Sequence, residues 1–298
     1  CRALEPSRVP SAPEKSKVRS VGDVEKAASS LREHWRLGDQ PIESVTTTIE
    51  DSGGIVLEMG GQDDLFDGLS GWADDTTPVV VVSSSVSDDR RRFSLAHELG
   101  HLFMDVGKVD TKTEERLAHR FAAAFLVPAS TARRELGEKR RHLDFRELAM
   151  LKLKHGLSMA AWIFRASDLD IIDESHARTL FAELSARGWR KEEPVKFVGR
   201  EQPFRLRQLT VRSLAEGLLT RTQAERICPN ALQDLIEERP SVPSSMDART
   251  LMKLPKVERE RLMEQAATLV EGDYGTGGRL TGFDALGKED HFDDSVEE

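Results

Sequence analysis

The run from His97 to His101 reads His-Glu-Leu-Gly-His, and its two histidines are four residues apart. On a helix, residues at this spacing lie on the same face, so both imidazoles can reach one metal ion. Glu98 would then face a water molecule at that metal, where a carboxylate can act as a general base. The alternative is a surface helix with two incidental histidines. An apolar stripe at helical spacing argues against it and predicts a buried helix: Phe93, Ala96, Leu99, Leu102 and Phe103.

Two histidines leave a catalytic zinc site incomplete, because such sites usually have three protein ligands and a water. Glu115 is the predicted third ligand, on a second helix that presents Ala118 and Ala122 on the same face. Small residues there would let the two helices pack closely, and Gly100 suggests that another backbone or the substrate approaches the first helix. Glu115 could instead be a solvated acid near a helix N-terminus. The competing ligands are Glu114, Asp105, Asp110 and His119, of which His119 could also orient a ligand.

The predicted elements around these residues give an α+β fold, in which a small mixed β-sheet packs against helices that carry the zinc site and a helical C-terminal region follows. Strands are predicted at Ile55–Met59 and Val79–Val82, with a turn at 67–72 leading into a further short strand. The valine run is either an edge strand that could bind an extended substrate or a buried central strand. The predicted helices are Val21–Leu37, Pro41–Ser52, Asp88–Val106, Thr113–Leu126, Phe145–His155 and Met159–Ala166.

The chain is predicted to have four parts. Residues 1–20 form a disordered leader, and residues 21–138 form the metallopeptidase core. Residues 139–238 form a helical, helix-turn-helix-like extension, and residues 239–298 form a linker, an amphipathic helix and an acidic disordered tail. Because the chain begins with Cys1, we expect a fragment or a missing N-terminal domain.

Further pieces of sequence accompany the His-Glu-Leu-Gly-His run. They are Arg92–Leu102 around it, Glu115–Ala122, Phe125–Pro128, Phe66–Ser70, Leu151-Lys152 and Gly156–Ser158. Together these motifs resemble the ImmA/IrrE family of metallopeptidases, over about residues 21–200.

The resemblance implies a zinc endopeptidase in which His97, His101 and Glu115 hold Zn²⁺ and Glu98 is the catalytic base. Its expected partner is a protein substrate, namely a helix-turn-helix repressor or an antitoxin-like regulator in a stress response or a mobile element. His119 stands where we expect Asn or Asp. It could orient a ligand, or it could become a fourth ligand that closes the site and suppresses hydrolysis.

Composition limits the other classes of function. The net charge of -9 argues against a surface that binds nucleic acid or an anionic membrane as a whole. No apolar run approaches the length of a membrane span. The 2 cysteines imply no disulfide framework, which suits a reducing cytoplasm.

Two alternatives to a peptidase remain. The first is a DNA-binding regulator that contacts DNA through residues 139–166, where seven basic and two acidic residues surround a possible helix-turn-helix. The same segment could be a helical hairpin that covers the core with a solvated basic face. The second alternative is an interaction protein with a degenerate peptidase fold, acting through the helix Pro255–Val270 and the acidic tail.

Overall fold

The structure is a computed structural model that describes residues 13–60, 67–74 and 76–229. These residues belong to one unit of the chain, which spans residues 1–232. The linker, the amphipathic helix and the acidic tail predicted in residues 239–298 lie outside the described residues.

The described residues confirm the α+β class, with helices packed around small sheets. The strands are β1 (Ser16–Lys17), β2 (Ile55–Met59), β3 (Gly68–Ala73), β4 (Thr77–Ser83) and β5 (Met104–Asp105). The helices are α1 (Val21–His34), α2 (Val45–Asp51), α3 (Asp88–Phe103), α4 (Thr111–Leu126), α5 (Ala129–Leu136), α6 (Phe145–His155), α7 (Met159–Asp168), α8 (Glu174–Ala186), α9 (Arg205–Ala215) and α10 (Arg221–Ile227). In this part of the chain, no helix combines the length and the apolar character that crossing a membrane requires.

Side-chain caps explain where the first two helices begin. Ser20 and Asp23 form a capping box at the start of α1, as each side chain accepts a backbone N–H of the other. The hydroxyl of Ser44 caps α2, so this helix begins at Val45 and not at Pro41 as predicted.

The predicted helix boundaries also differ after the metal motif. Helix α3 ends at Phe103, before the predicted Val106, because Met104 and Asp105 enter a strand. Helix α4 ends before Pro128, as predicted, but the short helix α5 that starts directly after this proline was not predicted. Proline suits the start of a helix because its missing N–H would be unpaired there in any case.

The main sheet has the strand order β2-β4-β3, in which β2 runs parallel and β3 antiparallel to β4. The prediction that Val79–Val82 could be an edge strand is wrong, because β4 lies at the centre with Val80 and Val82 fully buried. The segment expected to begin as a turn is strand β3, and β3 is an edge of the sheet. Strand β2 is the other edge, so an extended substrate could add to either strand.

The folded part of the chain begins closer to the N-terminus than predicted. Strand β1 pairs in parallel with β5, and Val18, which follows β1, is only 2% exposed. Residues 13–20 of the predicted disordered leader are therefore part of the folded unit, while residues 1–12 lie outside the described residues.

Helices α3 and α4 pack closely at Gly100. A Cβ atom added there would lie 3.3 Å from the Cα of Ala118 and 3.3 Å from the Cβ of Phe121. The expectation that another backbone approaches Gly100 is confirmed, and the backbone is that of α4. Contact at this distance places the ligand faces of both helices against one cleft.

Residues beyond 139 attach to the core through a buried ion pair. The guanidinium of Arg92, in α3, lies 2.7 Å from the carboxylate of Glu201, and both side chains are at most 1% exposed. The Glu201 carboxylate also accepts the backbone N–H groups of Val45 and Thr46 at the start of α2. One side chain from the C-terminal extension thus joins two helices of the predicted core.

Replacing Glu201 with Ala leaves the buried guanidinium of Arg92 without its counter-charge. Removing one partner of a buried pair costs about 3–5 kcal/mol, so urea denaturation should show a loss of that size in the free energy of unfolding. Glu192→Ala is the control, because Glu192 and Lys196 form an exposed pair 3.7 Å apart. Equal stability of the two variants would contradict the anchoring role of Glu201.

Candidate metal centre

The two histidines of the motif meet on one face of α3. Their ring centroids lie 4.8 Å apart, and the Nε2 atoms of His97 and His101 are 3.1 Å apart. The rings are partly buried, with 13% and 23% of the side chains exposed. The helical spacing thus aims both Nε2 lone pairs at one point at the edge of the cleft.

Glu115 brings a carboxylate to the same point from α4. Its Oε2 lies 3.1 Å from Nε2 of His97, and its Oε1 lies 3.5 Å from Nε2 of His101. Within the described residues, His97, His101 and Glu115 form a cluster whose ligand atoms lie within 4.8 Å of one another.

These three residues fit a zinc ion in both chemistry and spacing. Two histidines and one glutamate are a donor set found in catalytic zinc peptidases. Ligands about 2.0–2.2 Å from a tetrahedral ion lie roughly 3.3–3.6 Å apart, which is close to the distances between these side chains. The set has three protein ligands, which leaves a fourth position for water or substrate.

The environment keeps His97 neutral. Burial, together with the nearby His119 and His101 rings, lowers the pKa of the His97 imidazole to about 3. A neutral imidazole carries the lone pair that a metal ion needs. His97 can therefore bind metal at neutral pH without first losing a proton.

The Nδ1 atoms of His101 and His97 have different surroundings. The Nδ1 atom of His101 lies 3.5 Å from a carboxylate oxygen of Glu114, which can orient the ring from behind. The Nδ1 atom of His97 is buried and has no hydrogen-bond partner among the described residues. Glu114, one of the competing third ligands, thus contacts His101 on the side away from the cluster.

His119 lies beside the cluster but is not one of its three members. Its ring centroid is 4.5 Å from that of His97, and its Nδ1 is 2.8 Å from the backbone carbonyl of Glu115. This hydrogen bond fixes the ring along α4, in an edge-to-face arrangement with the ring of His97. The ligand atoms of His97, His101 and Glu115 cluster without His119, which favours a role beside His97 over a role as fourth ligand.

Glu98 is buried beside β3, with 8% of its surface exposed. Burial raises the pKa of its carboxyl group, and a hydrogen bond from Ser70 acts in the opposite direction. The Ser70 hydroxyl donates to Oε2 of Glu98 over 2.6 Å. A raised pKa suits a group that must take up and release a proton near neutral pH.

Ser70 and Gly68 also lie against Glu98, although neither is among the residues predicted for this site. Both lie on β3, two residues apart, and thus on the same face of the strand. The sequence feature that could have indicated them is their spacing of two, which is the side-chain period of a β-strand. Interpreting the glycines of this segment as a turn obscures that spacing. His142 is exposed and its ring lies 5.6 Å from that of His176, outside the cleft.

The cluster opens into a cleft of about 690 Å³ between α3, α4 and β3. An exposed ion pair between Arg90 and Asp67, with 2.7 Å between its nitrogen and oxygen atoms, lines this cleft. Leu69 and Phe93 add apolar surface to its walls. The cleft therefore offers an extended polypeptide both apolar and charged contacts near the cluster.

The fold and the cluster together define a metallopeptidase-like domain. Residues 55–167 match the family model Peptidase_M78, described as an IrrE N-terminal-like domain. The resemblance to the ImmA/IrrE family that the motifs indicate is therefore confirmed for this part of the chain.

Similarity to other known proteins is more distant. No curated protein matches the chain. Six chains of known structure do, and one is a Mycobacterium tuberculosis transcriptional regulator with 18% sequence identity and a TM-score of 0.37. That match covers 49% of this chain and 46% of the regulator, so the chain spans about half of the regulator's length.

The low pKa of His97 predicts a pH dependence of stability in the metal-free protein. Between about pH 6.5 and pH 3 the unfolded chain binds a proton at this residue and the folded chain does not, so stability falls as pH falls. In the presence of a chelator, the free energy of unfolding of His97→Gln should therefore fall less steeply than that of the wild type. The difference should approach about 1.4 kcal/mol per pH unit.

The control for this measurement is His142→Gln, which removes an exposed histidine outside the cleft. It should keep the wild-type slope. Identical slopes for wild type and His97→Gln would show that His97 does not resist protonation in the folded state.

Proposed function

We propose that this protein is a zinc-dependent endopeptidase. The observation that carries the proposal is the meeting of His97, His101 and Glu115 at one point, with the buried carboxylate of Glu98 on the same helix. Three protein ligands and a separate acidic residue are what peptide hydrolysis at a zinc ion requires.

The chemistry divides between the metal and the protein. When bound, zinc would supply a Lewis acid that polarises a peptide carbonyl and acidifies a water molecule. Glu98 would accept a proton from the attacking water and pass it to the amide nitrogen as the C–N bond breaks. The pKa of this carboxyl is raised by burial, which favours both halves of the transfer.

Strand β3 is the proposed binding edge for the substrate backbone. It lies at one side of the sheet, and Gly68, Leu69 and Ser70 line the cleft. An extended peptide could add to this edge through main-chain hydrogen bonds. Leu69 has 62% of its surface exposed and would contact an apolar side chain of that peptide.

We further propose that the substrate is a DNA-binding repressor with a helix-turn-helix, or an antitoxin-like regulator. The support is the resemblance to the ImmA/IrrE family, which implies such targets in stress responses or mobile elements. We place the activity in the cytoplasm, since a chain with two cysteines has no disulfide framework to suggest an oxidising compartment.

The contacts of residues 139–166 favour a covering hairpin over a DNA-binding surface. Six of the seven basic residues bind oxygen atoms of this chain: Lys139 to the Asp170 carbonyl, Arg140 to Glu147, Arg146 to Asp144, Lys152 to Asp89 and Glu193, Lys154 to Glu135, and Arg165 to Glu25. In a helix-turn-helix, α7 would be the helix that enters the major groove of DNA, but here α7 buries Trp162 and Ile163 in the core. Acids outside this segment therefore neutralise three of its basic residues, namely Lys152, Lys154 and Arg165.

The experiment that tests the proposed function compares wild type with Glu98→Gln, both loaded with zinc. The probes are a library of peptides from a digested bacterial proteome with blocked amines, and purified helix-turn-helix repressors. The wild type should create new amino termini, detected by mass spectrometry. The variant should bind zinc equally but cleave at least about 100-fold more slowly, because it has no general base.

Equal cleavage by both proteins would remove Glu98 from the mechanism. A folded, zinc-loaded wild type that cleaves none of these probes would favour the alternative, an interaction protein or transcriptional regulator with a degenerate peptidase fold.

A further inference from the structure

We propose that Ser70 is a positioning residue for Glu98 and that strand β3 sets the orientation of the catalytic carboxylate. This inference rests on the proposed peptidase function for its kinetic consequences. The contacts that carry it lie between β3 and α3 and do not depend on a metal ion.

The first contact is a short hydrogen bond. The hydroxyl of Ser70 lies 2.6 Å from Oε2 of Glu98, a length typical of a hydroxyl that donates to a carboxylate. Glu98 is 8% exposed, so water competes weakly for this oxygen. The bond holds one oxygen of the carboxylate, Oε2, against β3.

The second contact is a close approach of the backbone. A Cβ atom at Gly68 would lie 2.9 Å from Oε1 of Glu98, closer than real Cβ contacts allow, and 3.0 Å from its Cγ, so the Glu98 side chain would have to shift. A glycine at position 68 is therefore what lets the carboxylate lie against β3. Residues 68 and 70 share one face of the strand, where the first makes room for Glu98 and the second binds it.

The register of β3 is fixed by its central neighbour. Gly68 pairs with Val82 and Ser70 pairs with Val80, and both valines are fully buried. A slip of one residue would turn Gly68 and Ser70 to the other face, so the sheet holds them against α3. A peptide added to the free edge of β3 would be aligned to the same strand that holds the base.

Ser70 can also accommodate the proton that Glu98 takes up. Its hydroxyl lies 3.2 Å from the backbone carbonyl of Glu98, in addition to the carboxylate. While Glu98 is charged, the single hydroxyl hydrogen is donated to Oε2. When the Glu98 carboxyl is protonated, the Ser70 hydroxyl can rotate and donate its hydrogen to the backbone carbonyl of Glu98. The Ser70 oxygen can then accept a hydrogen bond from the protonated carboxyl group.

The kinetic test compares Ser70→Ala, Ser70→Thr and wild type on a peptide that the wild type cleaves, with zinc content measured in each. Ser70→Ala should lower kcat about 10- to 100-fold while KM and zinc content stay near their wild-type values. Ser70→Thr keeps the hydroxyl and should recover most of kcat. Ser83→Ala is the control, because Ser83 lies on β4 and its hydroxyl bonds with Ser85.

Unchanged kcat in Ser70→Ala, or a rise in KM alone, would overturn the proposal, since a residue that only contacts the substrate gives the second pattern. A loss of kcat that Ser70→Thr does not recover would also overturn it.

A crystal structure of Ser70→Ala gives a readout that needs no activity. The Glu98 carboxylate should rotate away from β3 or occupy two orientations, while Ser83→Ala leaves it in place. If the wild type cleaves no peptide, the proposed function fails, and this structure still decides whether Ser70 holds Glu98. An unmoved carboxylate would refute the positioning role.

Discussion

The contact between α3 and α4 at Gly100 determines where the candidate ligands meet. Because glycine has no side chain, the backbone of α4 approaches at Ala118, with Phe121 packed beside it. At that separation the carboxylate of Glu115 reaches both Nε2 atoms, at 3.1 and 3.5 Å. A larger residue at position 100 would push α4 outward and withdraw one ligand from the other two. The geometry of the centre thus depends on a steric constraint within the core.

The pKa values of two side chains at the site follow from their burial between these elements. Removing His97 from water lowers the pKa of its imidazole, and removing Glu98 from water raises the pKa of its carboxyl. His97 is therefore a neutral ligand, and Glu98 is a base that can release its proton again. Strand β3 completes this environment, since it supplies the hydrogen bond to Glu98 and is one of the two edges of the described sheet.

How much the sequence predicts depends on the range of each interaction. His97, His101 and Glu98 follow from the periodicity of one helix, and Glu115 follows from the small residues on the face of the next. Ser70 could not be predicted in the same way, because its bond to Glu98 joins residues 28 positions apart on a strand and a helix. The ion pair of Arg92 and Glu201 spans 109 positions, and no local pattern marks it. The charge of residues 139–166 is misjudged from the sequence for the same reason, since acids distant in sequence neutralise Lys152 and Arg165.

The measurement that tests the central claim most directly is the zinc content of purified protein by elemental analysis. Wild type should hold about one zinc per chain, and His97→Ala and Glu115→Ala should lose it. His142→Ala is the control, because His142 is exposed and lies outside the cleft, and this variant should keep the ion. Folded wild type that holds no zinc after metal is supplied would contradict the account, as would full occupancy in Glu115→Ala.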